Sequence, residues 1–509
     1  MSATQLIVHC DLNKTVIMRD KGISVPQMVN SLLSECTWGF IKGEKMALED
    51  WVMINGEPSA SPPPLPESIS PFLEVVAPTS PKRASKSNHK DDKSAANHGE
   101  SHDQDKNKFA IQVVTYADYV ENYTTVSKSD RKLLKQNFTT ENEHGNPYAL
   151  KSDACRSAYN RLLHSLIVSS YDTTEQDELP QYFTSDLEGK RRYIGILPSF
   201  FNFVEYMARR AHHDPKRFDF RLLFRTFGDD IADVAEEFNT WCSNEHPLFK
   251  LSPDVGPLDG SASEEGWRDY RLQLPMFSGA ISRIADNNDG FLFSHLNKTE
   301  GMQRGVNVVV TKGAQKCYNI ILNDWFSSHL TSLNSKASTD VISFRGTGSA
   351  ALQDDYSWWN SNGESDSSGK VLLLSKYQID LHNDHVADLV SSKEVWEVNS
   401  DKEIEDGPTN SQHSDENFNV LQVFFDDNIE RERAHIVDVR RMGGVHGETD
   451  GNESSTFTSI SEDGRESFFP LEGEKATGCY LRKVHPFLAI SDPLYYIKEI
   501  DQYIQSILD

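Results

Sequence analysis

Cysteine is scarce and scattered. The six in the chain (Cys10, Cys36, Cys155, Cys242, Cys317 and Cys479) never fall into a C-x-x-C pair. That speaks against a zinc site or a disulfide framework and fits a reducing compartment. Positive charge is also short: 51 Lys and Arg face 77 Asp and Glu, a formal net charge of -26, with no basic stripe along the chain. Binding to nucleic acid or to an anionic membrane surface needs clustered Lys and Arg, so neither is expected. No apolar run approaches the roughly 18 residues of a membrane helix. An apolar strand is expected within a few residues of Met1, which leaves no room for a signal peptide ahead of it, and the expected location is cytoplasmic. Two glycine-bearing stretches lack what would make them sites. Gly346-Thr347-Gly348-Ser349 has neither a G-x-G-x-x-G pattern nor a Walker lysine and reads as a turn. Asp286-Asn287-Asn288-Asp289-Gly290 lacks the remaining ligands and the closing Glu of an EF-hand.

What is present is enough apolar residue for a large core, 37% hydrophobic and 10% aromatic. The mean hydropathy of -0.55 adds that much of the chain is solvated loop. One catalytic domain with large insertions is the expectation. The most informative stretch is Leu6-Ile7-Val8-His9-Cys10-Asp11-Leu12-Asn13-Lys14-Thr15. An apolar run ending in an acid reads as a buried parallel strand delivering Asp11 to the carboxyl end of a sheet, where open α/β folds place their chemistry. Ser24 and Pro26 then open a short helix. From 56 to 108 the chain turns to Pro and then to Ser, His, Lys and Asp, too poor in aliphatic residues to offset chain entropy, and reads as a disordered insert. A strand at 109–116 and helices at 132–138 and 152–168 follow.

Pro198 opens a helix with an apolar face of Phe200, Phe201, Phe203, Val204, Met207 and Ala211. Phe220 to Thr226 then reads as a buried strand ending in a hydroxyl. Asp229 and Asp230 begin the next helix, where acids complement the helix dipole. A hairpin is expected over 279–294, strands at 306–310 and 340–345, and a helix from Tyr318 to Leu333. The acidic and aromatic run at 354–359 has no clear place. Asn419 to Asp426-Asp427 is a second buried strand, ending in paired carboxylates whose mutual repulsion a bound cation would relieve. A short strand at 434–439, a loop from 442 to 477 and a last helix carrying Leu494, Ile497, Ile500, Ile504 and Leu508 on one stripe complete the chain.

D-L-N-K-T at 11–15 resembles the first motif of the haloacid dehalogenase superfamily, D-x-D-x-T, with Asn13 where the second carboxylate would stand. The resemblance extends in order to Thr226, a lysine, and Asp426-Asp427. It implies an α/β fold with a Rossmann-like parallel sheet core and a large cap insertion: core at 1–20 and 191–509, cap at 20–190 with the disordered linker 56–108 inside it. It implies Asp11 as nucleophile, with Asp11, the backbone carbonyl of Asn13, Asp426 and Asp427 around Mg2+, and Thr226 and a lysine on the phosphoryl oxygens. Lys370, in a glycine-containing turn before an apolar run, is the first choice, with Lys376 and Lys393 as rivals. The expected function is a magnesium-dependent phosphohydrolase or phosphotransferase acting through an aspartyl-phosphate on a phosphorylated small molecule. Because Asn13 cannot transfer a proton, leaving groups that need none are favoured. Two alternatives stay open: a catalytically weakened phosphate-binding or interaction protein on the same fold, and an unrelated α/β protein.

Overall fold

The computed structural model describes residues 4–20, 22–41, 50–65, 73–75, 109–170, 179–186, 191–213, 218–259, 278–283, 291–295, 308–312, 317, 329–332, 342–345, 348–374, 419–429, 436–442, 468–470 and 479–508. The chain divides into two units, Met1–Arg19 with Tyr171–Asp509, and Asp20–Ser170. The second division therefore falls after Ser170, against the sequence reading of 190.

The larger unit is built on an eight-stranded sheet. Its strands are β1 (Thr4–Asp11), β2 (Phe218–Thr226), β3 (Ser278–Arg283), β4 (Phe291–His295), β5 (Val308–Lys312), β6 (Ser349–Gln353), β8 (Asn419–Asp426) and β11 (Leu481–Lys483). They lie in the order β5-β4-β3-β6-β2-β1-β8-β11. The pairs from β3 across to β11 are parallel, and β4 and β5 add an antiparallel edge. This is an α/β fold with a large, mostly parallel mixed sheet. Three further strands, β7 (Lys370–Leu374), β9 (Val437–Met442) and β10 (Phe468–Pro470), form a separate small sheet in the order β7-β9-β10.

β1 sits centrally and is buried on both faces, as a parallel strand between two others must be, which explains its unbroken apolar run. Successive side chains alternate between faces. On one face Phe200 of the Pro198–His213 helix packs on Phe224, and Phe203 on Phe425 and on Tyr496 of the Tyr495–Leu508 helix. On the other face Ile7 and Leu223 join Val371 and Leu373 of β7 in one apolar cluster. The register levels the strand ends: Asp11 lies beside Arg225, Thr226 beside Gln353, and Cys10 beside Phe425, which brings Asp426 next to Asp11.

The Asp20–Ser170 unit is a small mixed assembly. Its Val25–Cys36 helix is closed by a capping box of Ser24 and Gln27. Trp38–Ile41 pairs antiparallel with both Trp51–Met53 and Val113–Thr115, and buried Trp51 packs edge-on against Tyr116.

Several sequence readings need correction. Within the insert read as disordered, Leu73–Val75 is a strand paired with Phe109–Ile111, and Ser59 bonds back to Cys36 and Trp38; the rest of that insert, 66–72 and 76–108, lies outside the described residues. His329–Ser332 is a strand rather than the end of a helix, paired with Ile342–Arg345, and β10 interrupts the expected 442–477 loop. In the last helix Leu494 is exposed, and the buried stripe is Tyr496, Ile500, Tyr503 and Ile504. The tyrosines bury their rings while their hydroxyls reach backbone oxygens, of Thr15 for Tyr496 and of Gln422 for Tyr503. That pairing of apolar ring and satisfied hydroxyl escapes an aliphatic stripe count.

Because Phe203 bridges the helix layer to β8, Phe203→Ala should lower unfolding stability by about 3 to 5 kcal/mol. Urea denaturation followed by circular dichroism measures it.

Candidate active site

Beyond Asp11 the chain turns at once. Leu12 donates to the Arg225 carbonyl, and the Leu12 carbonyl accepts from Val16 and Ile17, each at 2.9 Å. Lys14 takes a left-handed φ of 59° to close this turn, a conformation that costs a non-glycine residue roughly 1 to 2 kcal/mol. Asn13 is thereby held at the mouth of the sheet beside the β2 end.

Lys370 is buried and extends from the start of β7 to the same place. Its Nζ donates to Asp11 Oδ1 and, at 2.7 Å, to Asp426 Oδ2. The ammonium also lies 5.2 Å from the Phe227 ring centre, a cation–π contact. Asp426 Oδ1 accepts from the Asn428 amide at 2.8 Å, and Asp427 accepts from the Asn428 side chain at 2.7 Å. Oxygen atoms of Asp11, Asp426 and Asp427 lie within 4.8 Å of one another. At the end of β2, Thr226 Oγ1 accepts from the Gly228 amide at 2.8 Å, which leaves the hydroxyl proton to be donated outward.

Asn13 departs from the carboxylate group. Its Nδ2 faces the same small space beside Gly228 as Asp230 Oδ2, and its amide dipole opposes the rise of the Asp230 carboxyl. Asn13 Oδ1 is left buried, without a donor among the described residues. Asp230 stands at the N-cap of the Ile231–Cys242 helix but makes no side-chain cap bond; its Oδ2 lies against Gly228.

Burial dominates the electrostatics. It drives the Asp11 carboxyl well above the ordinary carboxylate range; Lys370 pulls against it, while Asp426 and Asp427 add to the rise. Burial alone would push the Lys370 ammonium down, but the Asp11 and Asp426 carboxylates together hold it above its usual value. Burial likewise raises Asp230, opposed by Arg19 and by the nearby Asn13 amide.

A polar layer runs beneath these groups, inside the sheet. Arg225 donates to both oxygens of Asp354, at 3.0 and 2.5 Å, and its Nη1 lies 3.3 Å from His9 Nδ1. A guanidinium only donates, so His9 Nδ1 accepts and Nε2 carries the proton to Gln422 Oε1 at 3.0 Å. Gln422 in turn donates to the Leu373 carbonyl of β7 at 3.0 Å. Every strand that delivers a site residue is thus tied to another within four residues of the site.

Asp11, Lys370, Asp426 and Asp427 are brought together, with Thr226 on the adjoining strand end and Asn13 turned to the Thr226 side. Lys376 and Lys393 lie outside the described residues. Asp230 had been read only as a dipole-complementing acid; the signal for another role was its place four residues after Thr226. His9, Arg225 and Gln422 carried no signal, because each sits in a strand that reads as apolar; Asp354 lies in the acidic and aromatic run that has no clear place in the sequence, just after the β6 strand, which the sequence does not announce.

No protein-family model matches the chain, and no curated protein or solved structure matches it.

Removing Asp354 strands a buried guanidinium, so Asp354→Leu should cost about 3 to 5 kcal/mol. Adding Arg225→Met should recover most of it, as denaturant unfolding of the single and double variants will report. Burial, with help from Arg225, lowers the His9 pKa from 6.5 to about 3. Between those values the unfolded chain binds a proton at His9 that the folded chain does not. Stability should therefore be lost as pH falls through that window, by at most about 1.4 kcal/mol per pH unit from this group. His9→Gln should show a shallower acid limb in the same denaturation series.

Proposed function

We propose that this protein is a magnesium-dependent phosphohydrolase or phosphotransferase of the haloacid dehalogenase type, working through phosphorylation of Asp11 by a phosphorylated small molecule. The observation that carries the reading is the Lys370 ammonium shared between Asp11 and Asp426 at the carboxyl end of a parallel sheet, with the Thr226 hydroxyl on the next strand. A carboxylate meant to attack a phosphoryl dianion needs its own charge masked and the anion's oxygens held. Lys370 does the first, and Lys370 and Thr226 together do the second.

Two buried carboxylates and the half-buried Asp427 against one ammonium leave an excess of negative charge, which a divalent cation would balance. The donors are hard oxygens, the kind magnesium takes. Asp11, Asp426 and Asp427 would hold the ion, with the Asn13 carbonyl as the resemblance implies. Bound there, magnesium supplies charge neutralisation and Lewis acidity at the phosphoryl oxygens. The Asp20–Ser170 insertion follows the first strand where the superfamily carries a cap, and substrate selection is assigned to it.

Asn13 sets the limit. It can orient a group but cannot hand a proton to a departing alkoxide, a loss of about 10²- to 10⁴-fold, or roughly 3 to 5 kcal/mol of barrier. Aryl and acyl phosphates, which depart without a proton, are the favoured substrates. The same residue favours a second reading, a phosphate-binding protein with weakened catalysis.

With magnesium, the protein should hydrolyse para-nitrophenyl phosphate, and chelation of the metal should stop it. Asp11→Asn should cut the rate by more than about 10³-fold, and Lys370→Met should do likewise. Binding of magnesium and phosphate by calorimetry, without turnover of this activated ester, would favour the second reading.

A further inference from the structure

Gly228 marks where three polar groups meet. A side chain there would set its Cβ 2.8 Å from Asp230 Oδ2, 3.3 Å from Thr226 Oγ1 and 3.7 Å from Asn13 Nδ2. The absence of a side chain keeps this small space open, and the Gln353 side chain fixes the loop by donating to the Gly228 carbonyl at 2.8 Å. Thr226 is the group assigned to the phosphoryl oxygens, and the Asp230 carboxylate borders the same space as its hydroxyl. Asp230 is also half-buried rather than sealed, so a proton it receives can leave to solvent.

We infer that Asp230 supplies the carboxylate that position 13 lacks, acting as the general base that hydrolyses phosphorylated Asp11. The inference rests on the reading of Asp11 as the nucleophile. In this step the water oxygen bonds to phosphorus and the bond between phosphorus and the Asp11 oxygen breaks, its electron pair returning to the Asp11 carboxylate. The water proton passes to Asp230 Oδ2 and then to bulk water. Asn13 Nδ2 borders the same space as Asp230 Oδ2, so the two residues together would perform from two positions what one carboxylate at position 13 would do. Asp230 is an N-cap residue that makes no side-chain cap bond, and its Oδ2 borders the Gly228 space instead. The first half-reaction, departure of the substrate's leaving group, is left as before.

Rapid-mixing kinetics with para-nitrophenyl phosphate separates the two halves. In Asp230→Asn, the first turnover should still release a stoichiometric burst of nitrophenolate. Steady-state turnover should then fall about 10²- to 10⁴-fold, with the phosphorylated protein accumulating in intact-mass spectra. The burst itself certifies a folded, competent site. Exchanging the pair, Asn13→Asp with Asp230→Asn, should restore turnover and abolish the accumulation. If Asp230→Asn turns over at the wild-type steady rate, or slows without trapping the phosphorylated protein, the role of Asp230 is overturned while the Asp11 reading stands. If the wild-type protein shows no turnover that depends on Asp11, both fall together.

Discussion

The larger unit depends on one buried ammonium. Lys370 donates to carboxylates on two strands that would otherwise repel each other across the same gap. An unpaired charge at this depth would be prohibitive, and the pair is retained only because both partners are met with good geometry. The small β7-β9-β10 sheet is what carries the lysine there. Gly369 permits it, since a side chain at that position would run into the Ile436 backbone, and the Lys370 amide donates to the Ile436 carbonyl at 2.7 Å.

Below the lysine, the chain of Asp354, Arg225, His9 and Gln422 answers a different need. Parallel strands held by backbone bonds alone can pack at several side-chain arrangements on each face. A run of donors and acceptors in which each proton is assigned admits one register. The polar groups are all satisfied, so the layer holds the strand ends level instead of weakening the core, and it reaches β7 through the Leu373 carbonyl.

Much of this was legible locally. A short apolar run closed by an acid or hydroxyl marks a strand end whichever fold it serves, which is why Asp11, Thr226 and Asp426-Asp427 stood out. The glycine before Lys370 singled that lysine from its rivals for a similar local reason. The buried layer was not legible, because its bonded side-chain pairs lie 129 to 413 residues apart. Nothing near His9 or Arg225 tells a strand to bury them. The stripe of tyrosines in the last helix was missed because hydroxyls that find backbone oxygens look polar in sequence. Asp230 was seen, but a helix start was a sufficient explanation until its side chain was found facing Asn13.

The central place of β1 has a consequence for biosynthesis. Its two neighbours are β2 and β8, the second of which ends at Asp426. At ribosomal speeds, roughly 20 to 80 seconds separate the synthesis of Asp11 from that of Asp426. Throughout that interval the central strand of the sheet lacks one edge partner, and for about the first half it lacks both. A nascent chain in that condition is exposed to edge-to-edge association, so the yield of folded protein is set by how well the emerging N-terminal strand is shielded while it waits.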